Sequence, residues 1–152
     1  MNFENVALDG FTVVGISVRT SNKNGQSQKD ISELWSRFMQ ERIAGKITNK
    51  VNEYLYCMYT DYESDFMGEY TTILGYKVSS TENLPKELMM KTIPSGAYKL
   101  FKSSGKLPEC VLNTWMQIWQ SDIKRKYIAD FDVYPSDAFS SETPVVETFL
   151  SV

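Results

Sequence analysis

Apolar and polar positions alternate through FTVVGISVRT (residues 11–20), a run rich in β-branched side chains that stops at the polar SNKNGQSQ. That pattern predicts a strand and a turn. The period then lengthens. Ile31, Leu34, Trp35, Phe38 and Met39 recur three and four residues apart, which predicts a helix. Asp30 would cap it or sit in its first turn, and Gly45 marks its end or the turn beyond. Alternation returns in EYLYCMYTDY (53–62) and, past a turn at ESDFMG, in EYTTILGYKVSS (69–80). After TENLP the plan starts again. ELMMKTIPSGAYKLFKSSG (87–105) reads as one strand interrupted around Pro94 and Gly96. Pro108 suits the first turn of a second helix, striped by Val111, Leu112, Trp115, Ile118 and Trp119. YIADFDVYPS (127–136) and PVVETFLSV (144–152) are strands joined by DAFSSET.

The order is strand–helix–strand–strand, twice. Ile31, Trp35 and Phe38 align with Val111, Trp115 and Ile118, and the strand after each helix carries a matching tyrosine, Tyr59 and Tyr134. Such self-similarity points to duplication. The expected fold is α+β: one domain over 1–152, with pseudo-repeats of about 1–82 and 83–152. Each repeat gives one main helix to an antiparallel sheet, with a central cleft on the pseudo-twofold axis, where pockets commonly form.

Composition adjusts this picture in three ways. Aromatic residues make up 13% of the 152, and the nine tyrosines each need water or a partner for a hydroxyl; an aromatic-lined pocket is one use for them. The formal charge is −3 and the basic residues are scattered, apart from Lys124-Arg125-Lys126, which argues against direct nucleic acid binding. There is no histidine, so the commonest metal ligand and acid–base group is missing. Cys57 and Cys110 lack metal spacing and read as free thiols of a reducing compartment. No metal and no cofactor is expected. With no signal peptide and no apolar run of membrane-spanning length, the expected location is cytoplasmic, without membrane association.

The ordered set GFTVVGISVRT, ISELWSRF, YCMYTDYESDFMGEYTTILGYKV, IPSGAYKLFKSSGK, TWMQIW, DFDVYPS and VVETFLSV resembles the GyrI-like family, the effector-binding domain of bacterial transcription activators of the AraC and MerR types. It is most similar to the stand-alone form carried on integron cassettes. The likeness spans essentially the whole chain. It implies a deep aromatic cleft that binds cationic, lipophilic small molecules such as drugs and dyes, anchored by an acid on the last strand. The protein would then act as a sensor or sequestering module, with a transcription regulator as partner. Regulators of these types carry a helix-turn-helix ahead of the domain, and only ten residues precede Phe11, too few for one. Relatives of the fold also imply two alternatives, a small-molecule hydrolase and a gyrase-inhibitor-like protein-interaction module.

The acid that falls on the family's motif is Glu147. In the last strand Val146, Thr148, Leu150 and Val152 form the core face, so Glu147 points the other way with Val145, Phe149 and Ser151. Alternation alone sends that face to solvent; the resemblance turns Glu147 and Phe149 toward the ligand. In the second strand Tyr54, Tyr56, Met58, Thr60 and Tyr62 share one face and Leu55, Cys57, Tyr59 and Asp61 the other. The residues do not say which face lines the cleft, and the resemblance favours Tyr56, Tyr59 and Tyr76. Trp35 and Trp115 are core residues whose symmetry sets them near the axis, with partial exposure in the cleft. Phe11, Val13, Gly15 and Ser17 form the polar-to-small face of the first strand; Phe11 joins the ligand candidates, and Gly15 marks a bulge or a close approach. The four acids of DYESDFMGEY lack calcium-loop spacing. Without histidine no Ser–His or Cys–His pair exists, so no catalytic residue is assigned and the chain is not expected to be an enzyme.

Overall fold

In the computed structural model, which describes residues 2–152, eight strands form one antiparallel sheet with the helices on one of its faces. The strands are β1 (Glu4–Leu8), β2 (Phe11–Ser21), β3 (Lys50–Thr60), β4 (Glu69–Val78), β5 (Met89–Ile93), β6 (Gly96–Ser104), β7 (Ala129–Tyr134) and β8 (Val145–Ser151). The helices are α1 (Gln26–Gln40), the single turn α2 (Ile43–Lys46) and α3 (Glu109–Trp119). The α+β class and the repeated strand–helix–strand–strand unit are therefore as expected. Three details differ. β1 escapes the pattern because only Val6 and Leu8 mark it, at the edge of the sheet. Helix α1 begins four residues before Asp30, behind left-handed Gly25 (φ 71°), and Asp30 accepts a hydrogen bond from Gln26 Nε2 instead of capping. The strand expected over 87–105 is two strands, β5 and β6, with opposite destinations.

The strand order is β1-β6-β8-β7-β3-β4-β2-β5. From the central pair outward, β3-β4-β2 belong to the first unit and β7-β8-β6 to the second. The outermost strands are exchanged: β5 precedes the second unit but pairs with β2, and β1 precedes the first but pairs with β6. Only two residues link each exchanged strand to the next, Asp9-Gly10 and Pro94-Ser95. Links that short bring the two edges of the sheet within about 10 Å at that end, so the sheet curls into a partly closed barrel.

The rings show the same curvature. Phe11 on β2 and Phe131 on β7 lie 5.3 Å apart by centroid, although β4 and β3 stand between their strands. Three strand spacings in a flat sheet would be roughly 14 Å. Gly15 and Gly75 face each other across β2 and β4. A Cβ on Gly15 would lie 2.0 Å from the Leu74 carbonyl oxygen, and one on Gly75 2.0 Å from that of Val14. Gly15 is thus a close approach of strands, not a bulge.

Two cores result. Inside the barrel Val13, Tyr56, Met58, Ile73, Ile93, Tyr98, Phe131 and Val133 pack with Phe11 and Phe149. The face of β2 expected to be polar-to-small is therefore also core: Val13 and Val14, on opposite faces, are both fully buried. Outside the barrel the helices cover Val14, Ile16, Leu55, Leu74, Val146 and Leu150. In β8, Val146, Thr148 and Leu150 are each 0% exposed on that helix-covered face, as the alternation requires. Helix α1 packs over β2 and β4, and α3 over β6. The helices stand on separate halves, and the gap between them has the central strands β3 and β7 as its floor.

Candidate functional site

The sheet divides the eight expected ligand residues into two sets of four. Glu147, Tyr56, Phe149 and Phe11 belong to the barrel face; Tyr59, Tyr76, Trp35 and Trp115 belong to the helix face. The reason is parity. Tyr56 and Tyr59 are three residues apart on one strand, so a pleated backbone sends them to opposite sides. Glu147 is half-buried, opposite Lys102 on β6 and Val133 on β7. Beyond Val133 comes Tyr56, whose phenol is pushed up by burial first and by the Glu147 charge second. The Lys102 amine goes to Glu4, 3.9 Å away. The barrel face on which Glu147 stands is packed with rings, and the space between the two helices lies on the other face of the sheet. Tyr76 shares that other face but sits beneath α1 against Phe38, with Lys50 Nζ 4.6 Å above its ring.

Between the helices the duplication becomes geometry. Trp35 of α1 meets Tyr134 of β7 edge-on at 5.1 Å, and Trp115 of α3 meets Tyr59 of β3 edge-on at 5.4 Å. Each tryptophan therefore packs on the matching tyrosine of the other repeat. Phe139, from the segment between β7 and β8, stacks on Tyr134 at 5.9 Å and is 62% exposed. Trp119 lies beside Trp115 and is 40% exposed.

At the centre of this floor Cys57 of β3 pairs directly with Asp132 of β7. These positions are equivalent in the two repeats, being two residues before Tyr59 and Tyr134. Strict symmetry would give two acids or two thiols; the chain has one of each. Asp132 is fully buried. Its Oδ1 accepts from Thr148 Oγ1 at 2.5 Å and from Trp115 Nε1 at 3.1 Å, and its Oδ2 accepts from the Tyr59 hydroxyl at 3.1 Å. Cys57 Sγ donates to that hydroxyl at 3.4 Å. No lysine or arginine among the described residues forms an ion pair with Asp132. Burial pushes its carboxyl up to about 6, against the pull of the three donors, with a small further push from Asp130. The Cys57 thiol is pushed up to about 12, again by burial first and the Asp132 charge second, so it stays neutral.

Asp130, two residues earlier on the same strand face, is also fully buried but is differently served. Arg125 Nη2 donates to its Oδ2 at 2.7 Å and the Tyr62 hydroxyl at 2.5 Å, while the Ser151 backbone N–H and hydroxyl reach its Oδ1 at 2.8 and 3.1 Å. One buried acid has a cation and its neighbour has none. A carboxylate walled by rings and lacking a counter-charge is a site that an incoming cation would stabilise. Asp132, Asp130, Arg125, Tyr134, Phe139 and Thr148, which the fold gathers here, are not among the residues that the sequence assigns to a ligand. The signal was there for the acids: in ADFDVY, Asp130 and Asp132 are in phase with Tyr134, already matched to Tyr59.

The model of the Cass2 family, integron-associated effector binding proteins, matches residues 6–150. The chain is 27% identical over 158 residues to YobU of Bacillus subtilis (strain 168), a protein named for transcription regulation, covering 100% of this chain and 99% of that one. Its fold is similar to the crystal structure of an integron cassette protein from the mobile metagenome of Vibrio cholerae, with a TM-score of 0.76, 29% identity, and coverage of 99% and 95% of the two chains. It is also similar to SAV2435 bound to tetraphenylphosphonium, with a TM-score of 0.81, 22% identity, and coverage of 100% and 94%. No helix among the described residues is long and apolar enough to cross a membrane.

Proposed function

Because the chain belongs to the Cass2 family of integron-associated effector-binding proteins, we propose that it binds a lipophilic small molecule carrying a positive charge, in the gap between α1 and α3, with the charge against Asp132. The observation that carries this reading is the buried Asp132 carboxylate, held by three donors and no cation. A cation there would gain the pair and the faces of Tyr59, Trp115, Trp35 and Tyr134, each ring contact contributing ~0.5–2 kcal/mol. The carboxylate has no open route to solvent, so the guest's own rings must displace part of the ring cover, with exposed Phe139 the first to move. The tetraphenylphosphonium held by SAV2435 supports the class of guest. The naming of YobU supports a link to transcription, which this chain would make by presenting its loaded state to a partner regulator or by sequestering the compound.

Tetraphenylphosphonium and tetraphenylborate have the same shape and opposite charge, and Trp35 and Trp115 line the gap as reporters. Titration followed by tryptophan fluorescence should give micromolar binding of the phosphonium, about −8 kcal/mol, and none of the borate at the same concentrations. Glu147→Gln, inside the barrel, should leave the phosphonium affinity within about twofold. Equal binding of the borate would remove charge from the account. Loss of binding in Glu147→Gln would move the site to the barrel face.

Proton and guest compete for one carboxylate. With Asp132 ionising near pH 6, the phosphonium affinity should be flat above pH 7 and fall by about tenfold per pH unit below 6. A profile flat down to pH 5 would mean that another group holds the charge.

A further inference from the structure

We propose that Arg125 is a resident cation that sets the charge the cleft selects: by filling one of two adjacent carboxylate positions, it makes the site specific for a guest with a single positive centre. This rests on the cation-binding reading above. Asp130 and Asp132 are alternate residues on one strand, so their side chains leave the floor about 7 Å apart on the same face. Both are fully buried. The Arg125 side chain is 6% exposed. Its guanidinium lies 4.3 Å from the Tyr127 ring centre and 5.7 Å from that of Trp115, the ring whose Nε1 donates to Asp132. Tyr62 closes the group, edge-on to Tyr127 at 5.3 Å and bonded to Asp130.

The chain thus already displays a cation in an aromatic surround against a buried aspartate. The next aspartate along has the acid and the rings without the cation. The arrangement does not serve hydrogen bonding alone, since Arg125 Nε finds no acceptor among the described residues. It also requires Tyr127 to hold a left-handed backbone, φ 56°, uncommon for a bulky residue. Two carboxylates and one guanidinium leave the floor a net charge of −1. Removing the guanidinium makes it −2, and removing the Asp130 charge makes it zero.

Ethidium and propidium share one ring system and differ by a second quaternary nitrogen on a three-carbon tether, a reach comparable with the spacing of the two acids. Arg125→Met should raise the ratio of propidium to ethidium affinity by about tenfold or more over the wild-type chain. Asp130→Asn leaves Arg125 to neutralise Asp132 and should weaken both dyes by about tenfold or more. The double variant Arg125→Met/Asp130→Asn restores −1 and should return both affinities to within about threefold of wild type. An unchanged dye ratio in folded Arg125→Met overturns the proposal. Where that variant does not fold, Asp130→Asn and the double variant decide, and equal dye affinities in those two overturn it. A wild-type chain that binds neither dye nor tetraphenylphosphonium defeats the cation reading itself; dye binding indifferent to Arg125 and Asp130 defeats this inference alone.

Discussion

Replacing Asp132 with asparagine is expected to strengthen the fold at neutral pH and to weaken cation binding sharply in the same step. Ionised Asp132 is held away from water without a counter-ion. Its carboxyl titrates near 6, above the reference 3.8, so the folded chain binds that proton more tightly than the unfolded chain. The stability due to the protonated form is complete below about pH 4 and is lost as pH rises through 6. At pH 7.5 the ionised group therefore disfavours folding by roughly 3 kcal/mol, two pKa units at 1.36 kcal/mol each. Asparagine keeps the size, accepts from Thr148 and Trp115 through Oδ1, and can donate to the Tyr59 oxygen, without the charge. In urea denaturation Asp132→Asn should be the more stable chain by about 2–3 kcal/mol at pH 7.5, and the difference should narrow toward pH 5. Its tetraphenylphosphonium affinity should fall by about a hundredfold, roughly 2.7 kcal/mol. A variant that is less stable at pH 7.5 yet still binds the phosphonium would show that the acid serves the fold.

Gly15→Ala is the change expected to damage the fold most. The new methyl would lie 2.0 Å from the Leu74 carbonyl oxygen and 2.7 Å from the Gly75 Cα. Both are backbone atoms in the middle of a fully paired sheet, so no rotamer relieves the overlap. The strands would have to part at their closest approach to each other, at a loss of more than about 4 kcal/mol. Gly45→Ala is the matched control. Its Cβ meets nothing within 4 Å, it lies in the helical turn α2, and it should gain about 0.4–1 kcal/mol. Urea midpoints by circular dichroism separate the two. A Gly15→Ala chain within about 1 kcal/mol of wild type would mean that β2 and β4 can separate without loss.

Much of this architecture is legible in the residues because it depends on local period. The faces of β8 follow from alternation, and the equivalence of Trp35 with Trp115 and of Tyr59 with Tyr134 follows from counting. What a single chain does not display is which strands become neighbours. β5 and β6 look like one interrupted run because pairing near opposite edges is decided by partners more than seventy residues distant, β2 for β5 and β1 for β6. The same gap leaves the side of each acid undecided. Glu147 draws attention because it stands alone among apolar neighbours, yet an acid in a strand reads as solvent-facing until its sheet position is known. Asp132 carries no louder signal, and only the pairing of β7 with β3 puts it on the axis against Cys57. The resemblance implies a deep aromatic cleft; the rings between the helices pack on one another and cover the floor, a matter of side-chain packing that periodicity does not report.

The exchange of β1 and β5 limits how a guest can enter. Each half holds the border strand of the other, and one unbroken ladder runs beneath both helices. The two walls therefore cannot swing apart like the leaves of a hinge without tearing main-chain pairing on both borders. Admission must be local: a turning of rings and a shift of the short segment that carries Phe139, over a platform that stays still.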